Sequence, residues 1–147
     1  VVRIVCSAGY FDPIHSGHRS HFKAAQALGD KLVVITHSDE RCIAKKGFCY
    51  QPLAERIKAL LDEPYVDEVI VAEEHGDNDG SVANTLRFLR PSFFAKGGDR
   101  DPEHHPIPQT EIDACNEIGC KIVYGVGEPK RPEWSSTKIA KQRLGLD

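Results

Sequence analysis

Residues 9–18 read GYFDPIHSGH and place two imidazoles, His15 and His18, three positions apart, with Gly9 before them and Gly17 beside His18. An apolar run, VVRIVCSA, precedes them, and a helical pattern, SHFKAAQALG, follows. Leaving a strand, turning through Asp12-Pro13 and starting a helix presents free backbone N–H groups and the positive end of a helix dipole, which together favour an anion. An imidazolium, or the N–H of a neutral imidazole, can hold a phosphate oxygen there. The helix dipole disfavours protonation of these rings and a bound polyphosphate favours it, so their charge state is expected to depend on ligand. Gly17 is expected to keep the backbone open beside that ligand.

A solvated helix face is the bland alternative for such a pair, and His15, His18 and His21 together have the spacing of a helical metal site. No carboxylate or cysteine stands at ligand spacing nearby, and His21 is expected to rotate away, so no protein-held metal is expected. Neither GxxxxGK[ST] nor GxGxxG is present.

The elements that must position this turn follow from periodicity. Nearly all-apolar stretches at 1–8, 31–37, 67–72, 92–96 and 120–125 read as strands covered on both faces. Between them lie helical patterns: Ser16 to Leu28 with Gly29 as its stop, 53–63 opened by Pro52, Ser81 to Leu89 capped by Ser81, 109–119 ending at Gly119, and a last helix capped by Ser135. Residues 38–51 are expected as a polar, basic connection. The alternation predicts a Rossmann-like three-layer α/β/α fold with a five-stranded parallel sheet and right-handed crossovers. Ligands of such sheets bind beyond the carboxyl ends of the strands. The loops at 9–17, 38–51, 97–108 and 126–134 all follow strands and should gather on that edge.

The bulk numbers narrow the class. A chain of 147 residues suits a single domain, 1–147, with a core of its own. With 28% charged residues but a net charge of −3, no global basic field favours nucleic acid. No apolar run reaches the roughly 18 residues of a membrane span, and the start reads as a strand and not as a signal peptide. Cys6, Cys42, Cys49, Cys115 and Cys120 form an odd set with no CxxC, which suits reduced thiols in the cytoplasm better than a disulfide frame or a zinc ribbon.

GYFDPIHSGH resembles the G-x-F-D-x-x-H-x-G-H signature of the cytidylyltransferase-like nucleotidyltransferases. WSSTKI at 134–139 resembles that family's second element, and LGDKLVVITHSDE and YVDEVIVA resemble its second and third strand regions. YVDEVI and STKI are similar to the glycerol-3-phosphate cytidylyltransferase branch, and FAKGGD at 94–99 to the branch that adenylylates heptose 1-phosphate. The DPEHHPIPQ stretch is longer than in either branch.

The resemblance implies transfer of a nucleoside monophosphate from a nucleoside triphosphate to a small phosphorylated acceptor, with release of pyrophosphate and with Mg²⁺ as cofactor. CTP is the expected donor, because the chain's ends resemble the cytidylyl branch; ATP is the alternative. The acceptor is expected to be a sugar- or alcohol-phosphate or a phosphonate, and the assembly a homodimer. By the same resemblance His15, His18 and Lys46 are catalytic. Gly9, Tyr10, Phe11, Gly17, Lys96, Gly98, Asp99, Trp134, Ser135, Ser136 and Thr137 bind nucleotide, with the Phe11 side chain in the core. Asp12, Lys45 and Arg56 meet the acceptor. Arg100, Lys130 and Arg131 stand nearby as further cations.

Three other readings make different demands. A non-catalytic nucleotide-binding domain would predict loss of His15, His18 or the SST element, and all are present. A class I aminoacyl-tRNA synthetase fragment needs a longer chain, a KMSKS-type loop and a basic face. A redox or metal protein would use the five cysteines.

Overall fold

A computed structural model describes residues 1–74, 80–98 and 100–146. Five strands, β1 (Ile4–Ala8), β2 (Lys31–Thr36), β3 (Glu68–Val71), β4 (Phe93–Ala95) and β5 (Lys121–Val123), pair in parallel in the order β3-β2-β1-β4-β5. Six helices accompany them: α1 (Ser16–Gln26), α2 (Asp39–Lys46), α3 (Leu53–Leu61), α4 (Ala83–Leu89), α5 (Gln109–Ile118) and α6 (Ser136–Arg143). This is the expected Rossmann-like α/β architecture.

Successive strand residues face opposite sides of a sheet, so each apolar run feeds two cores. Cys6, Val33, Ile35 and Phe94 pack with Ala83 and Leu86 of α4 and Ala114 and Cys115 of α5. Val5, Leu32, Val34 and Ala95 pack with Phe22 and Ala25 of α1 and Leu60 of α3. Strand order reverses between β1 and β4, and the crevice beyond their carboxyl ends is where a sheet of this kind binds ligands.

Three local expectations are corrected. Residues 38–51 are not simply a loop, because they contain α2. Ser38 caps it by accepting from the Arg41 N–H at 3.1 Å, and Gly47 ends it in the left-handed conformation at φ 85°. Gly29 does not act as a left-handed stop: a β-carbon there would lie 2.8 Å from the Arg3 carbonyl oxygen, so glycine lets the chain pass close beneath β1. Ser81 accepts from the Ala83 N–H, while the Val82 N–H at the start of α4 is held by the Glu111 carboxylate at 3.0 Å. That helix end is thus capped by its neighbour α5 on the same face of the sheet. The helices beginning at Ser16 and Ser136, and the left-handed end at Gly119, follow the sequence reading.

Candidate active site

An open cavity of about 480 Å³ lies beyond β1 and β4. Ser7 and Ala8 end its first wall, and Ala95 and Lys96 the second. His15, Gly17 and His18 at the start of α1 and Ser135, Ser136 and Thr137 at the start of α6 also line it. Two helix N-termini from opposite ends of the chain therefore open onto one space. Ser136 Oγ donates to the Pro13 carbonyl at 2.7 Å and ties α6 to the first turn. Trp134 closes the same joint. A β-carbon on Gly17 would lie 2.8 Å from Trp134 Cε3 and 2.9 Å from His15 Cε1, so glycine at 17 is demanded by packing between the two motifs.

The two histidines cap their own helix. His15 Nδ1 accepts from the Gly17 N–H, and His18 Nδ1 accepts from the His15 N–H, both at 3.1 Å. With each Nδ1 an acceptor, the neutral ring carries its hydrogen on Nε2. The rings stack with centroids 3.8 Å apart. Burial, then Arg19, Lys130 and Lys46, lowers the basicity of His15; burial and the neighbouring His15 push that of His18 well below the usual imidazole range. The first turn thus holds two neutral N–H donors whose tautomers are set by the backbone. Protonating either Nδ1 would break a cap.

His21, expected to rotate away, also lines the cavity. Its Nδ1 donates to the Val126 carbonyl at 2.8 Å, which leaves Nε2 to accept from Ser7 Oγ at 2.6 Å. Burial lowers its basicity. A β-carbon on Gly97 would stand 2.7 Å from His21 Nδ1 and 2.9 Å from the Val126 carbonyl oxygen. One ring therefore sets the spacing of β1, α1 and the loops after β4 and β5. Its partner is 105 positions away, so no local pattern could have revealed it.

Of the remaining expected residues, Gly9, Tyr10, Phe11, Lys46, Lys96 and Gly98 all line the cavity. Lys46 Nζ lies 5.4 Å from the centroid of the Tyr10 ring, which stacks on His37. Phe11, at φ 53°, is buried against His18 and Phe22. Lys96 Nζ sits over Phe94, and burial lowers its basicity. Arg100, Lys130 and Glu128 complete the polar lining, and Arg131 lies over the Trp134 ring. Asp99 lies outside the described residues.

Asp12 and Arg56, expected to meet an acceptor, stand beneath the cavity instead. Arg56 is 0% exposed: its guanidinium donates to the carbonyls of Gln51 and Tyr10, to Thr36 Oγ1 and to Asp39 Oδ1 at 2.7 Å. Asp12, also buried, accepts from the Tyr50 and Gln51 N–H groups at 2.7 and 2.6 Å. Buried charges need such partners, and these two brace the first turn against α2 and α3. Lys45 is exposed on α2, apart from the lining residues.

Comparison with known proteins agrees with this geometry. Residues 7–142 match the cytidylyltransferase-like family model. The chain is 34% identical over 123 residues to the FAD synthase of Pyrococcus abyssi, covering 82% of this chain and 76% of that protein. It is 36% identical over 127 residues to the bifunctional protein HldE of Hahella chejuensis, covering 85% of this chain but 23% of that protein. It is 41% identical over 85 residues to the ethanolamine-phosphate cytidylyltransferase of Arabidopsis thaliana, covering 58% of this chain and 18% of that one. The chain thus spans a quarter or less of its bifunctional and plant relatives. In fold it resembles a lipopolysaccharide core biosynthesis protein of Thermoplasma volcanium, with a TM-score of 0.69 and 24% identity over 87% of this chain and 99% of that one. A match over residues 7–142 takes in both motifs and every strand but the beginning of the first, and the chain belongs to the cytidylyltransferase-like family.

Proposed function

We propose that the chain is a nucleotidyltransferase that joins a nucleoside monophosphate to a small phosphorylated acceptor. The observation that carries this reading is the convergence of two helix N-termini, two Nε2–H donors and Lys46 on one cavity. An acceptor phosphate oxygen attacks the α-phosphorus of the triphosphate; the bond to the bridging oxygen breaks, and the electron pair leaves with pyrophosphate. Such a step requires positioning and charge stabilisation, with no enzyme nucleophile.

His15 and His18 donate to the triphosphate from fixed rings. The N–H groups of Ser135, Ser136 and Thr137 and the hydroxyls of Ser135 and Thr137 hold it from the other side, while the Ser136 hydroxyl ties α6 to Pro13. Lys46, Arg100 and Lys130 balance its charge. Gly97 and Gly98 bring the backbone close to the base or ribose, and Trp134 walls that side. Lys46 and Tyr10 mark the acceptor end, with Asp12 and Arg56 supporting them from below. Glu128 is the single carboxylate among the described lining residues, which suits a Mg²⁺ ion held mainly by the phosphates with which it arrives.

ATP is the better-supported donor. FAD carries an adenylyl group joined to a flavin phosphate by a phosphoanhydride bond, and the FAD synthase and HldE matches span 82% and 85% of the chain, against 58% for the plant cytidylyltransferase. CTP is the second reading, favoured by the likeness of YVDEVI and STKI to the glycerol-3-phosphate branch.

Thermal shift with Mg²⁺ and ATP, CTP, GTP or UTP tests both. A ligand at about a hundred times its dissociation constant adds roughly 2.7 kcal/mol of stability. We expect a rise with one nucleotide that His18→Ala abolishes, followed by pyrophosphate release once sugar-, alcohol- or flavin-phosphate acceptors are added. No shift with any nucleotide, alone or with acceptors, would refute the assignment.

A further inference from the structure

Outside the residues that line the cavity, Asp12, Cys42 and Cys49 each offer one ligating atom, and the three atoms lie within 4.8 Å of one another. They come from the first turn, from α2 and from the segment after it. Asp12 Oδ2 is 3.6 Å from Cys42 Sγ. That is close to the edge of about 3.5 Å expected between sulfur and oxygen on a tetrahedral zinc ion with ordinary bond lengths. The Asp12 carboxylate is already oriented by the Tyr50 and Gln51 N–H groups, as ligating carboxylates are, and Oδ2 retains a lone pair. Oxygens that could complete a fourth position flank the cluster: Gln51 O lies 3.2 Å and Asp39 Oδ1 3.5 Å from Cys49 Sγ.

We propose that Asp12, Cys42 and Cys49 form a binding site for one thiophilic divalent cation of the Zn²⁺ class. Two sulfurs and a carboxylate oxygen select such an ion over Mg²⁺ or Ca²⁺, which take oxygen ligands. Binding converts two thiols to thiolates and releases two protons to solvent. A buried carboxylate beside the thiols disfavours the thiolate needed to attack an oxidant, whereas a divalent cation reverses that field. The site has a structural consequence for the cavity. Cys42 and Cys49 bracket the stretch CIAKKGFC, which carries Lys46, and Asp12 belongs to the first turn. A bound ion would pin the lysine-bearing end of α2 to the turn that leads to His15 and His18.

The test uses the full chain, reduced, stripped with chelator and dialysed against Zn²⁺ or Co²⁺. One ion per chain is expected by elemental analysis, with the near-ultraviolet thiolate-to-Co²⁺ charge-transfer band of a two-sulfur site. Loss of an outer-shell partner alone costs roughly 10–100-fold in affinity, so Cys42→Ser and Cys49→Ser should each weaken binding by about 100-fold or more. Cys115→Ser, in the core on the other side of the sheet, should leave it unchanged. Circular dichroism of each metal-free variant checks that it folds, and Cys49→Ser, at the less buried position, serves if Cys42→Ser does not. Absence of a bound ion, retention of the ion in a folded serine variant, or its loss in Cys115→Ser would each overturn the site. So would loss of two hydrogens by mass on mild peroxide treatment that Cys49→Ser abolishes, in a chain that binds no metal, because Cys42 and Cys49 would then be a disulfide pair.

Discussion

The two helix starts that face the cavity solve one problem with different chemistry. At α6, Ser135 Oγ accepts from the Lys138 N–H in an ordinary N-cap, half-exposed and carrying no titratable group. At α1, imidazoles do the capping, and burial keeps them neutral. A hydroxyl cap gives N–H groups to an anion in any environment. A histidine cap does so only where desolvation suppresses protonation, and it then aims a second donor, Nε2–H, outward from a fixed ring. The difference teaches that the first motif depends on its surroundings and the second hardly at all.

The largest effect should come from removing the ring that is most buried. His18→Ala deletes a proposed transition-state donor, and loss of one such donor costs on the order of 10²–10³ in kcat. Pyrophosphate release measures it; a fall of less than about threefold would remove His18 from the chemistry. Next, Arg56→Leu breaks the brace under the same turn. Breaking a buried pair from one side costs about 3–5 kcal/mol, here discounted toward the lower end because Asp39 is 44% exposed. Denaturant unfolding should report it, and an unchanged midpoint would contradict the brace.

Gly17→Ala tests the joint between the two starts. Overpacking costs roughly 1–3 kcal/mol, and Trp134→Ala in the same chain should recover part of it. A double-mutant cycle with no coupling would show that the motifs do not bear on one another. Ser135→Ala should cost about 1 kcal/mol, the usual worth of such a cap, and should slow transfer less than His18→Ala.

The smallest effect is the one that separates the two helix starts by pH. His15, His18, His21 and His37 all have folded-state basicity below the ordinary imidazole value of 6.5. Below that pH the unfolded chain binds protons that the folded chain refuses, so stability falls as pH drops from about 6.5 toward the depressed values and is level with respect to these groups above it. The slope should be shallower in His18→Ala and unaltered in Ser135→Ala. Unfolding midpoints between pH 5 and 7, conditions chosen to bracket the ordinary value, decide it.

Much of this molecule could be read from the chain alone. Five strands, five of the six helices and both cavity-facing motifs rest on local periodicity and caps. The helix that was missed, α2, carries a full set of end signals: Ser38, acidic Asp39 and Glu40, then Lys45, Lys46 and Gly47. It escaped because Cys42 is its single buried residue, so it has almost no apolar stripe. The family resemblance assigns Arg56 and Asp12 to the acceptor. Burial among distant carbonyls and N–H groups sends them into the supporting layer.

The sequence by itself determined where the helices begin, which side chains stand at those starts, and how the strands alternate between two cores. These properties depend on neighbours within a turn or two. Tertiary structure alone decided that α6 meets α1, that Val126 and Ser7 share His21, that Arg56 is buried, and that both capping histidines remain neutral. Desolvation and hydrogen bonds between separate segments, some more than a hundred residues apart, control those outcomes, and neither is encoded in any short stretch of chain.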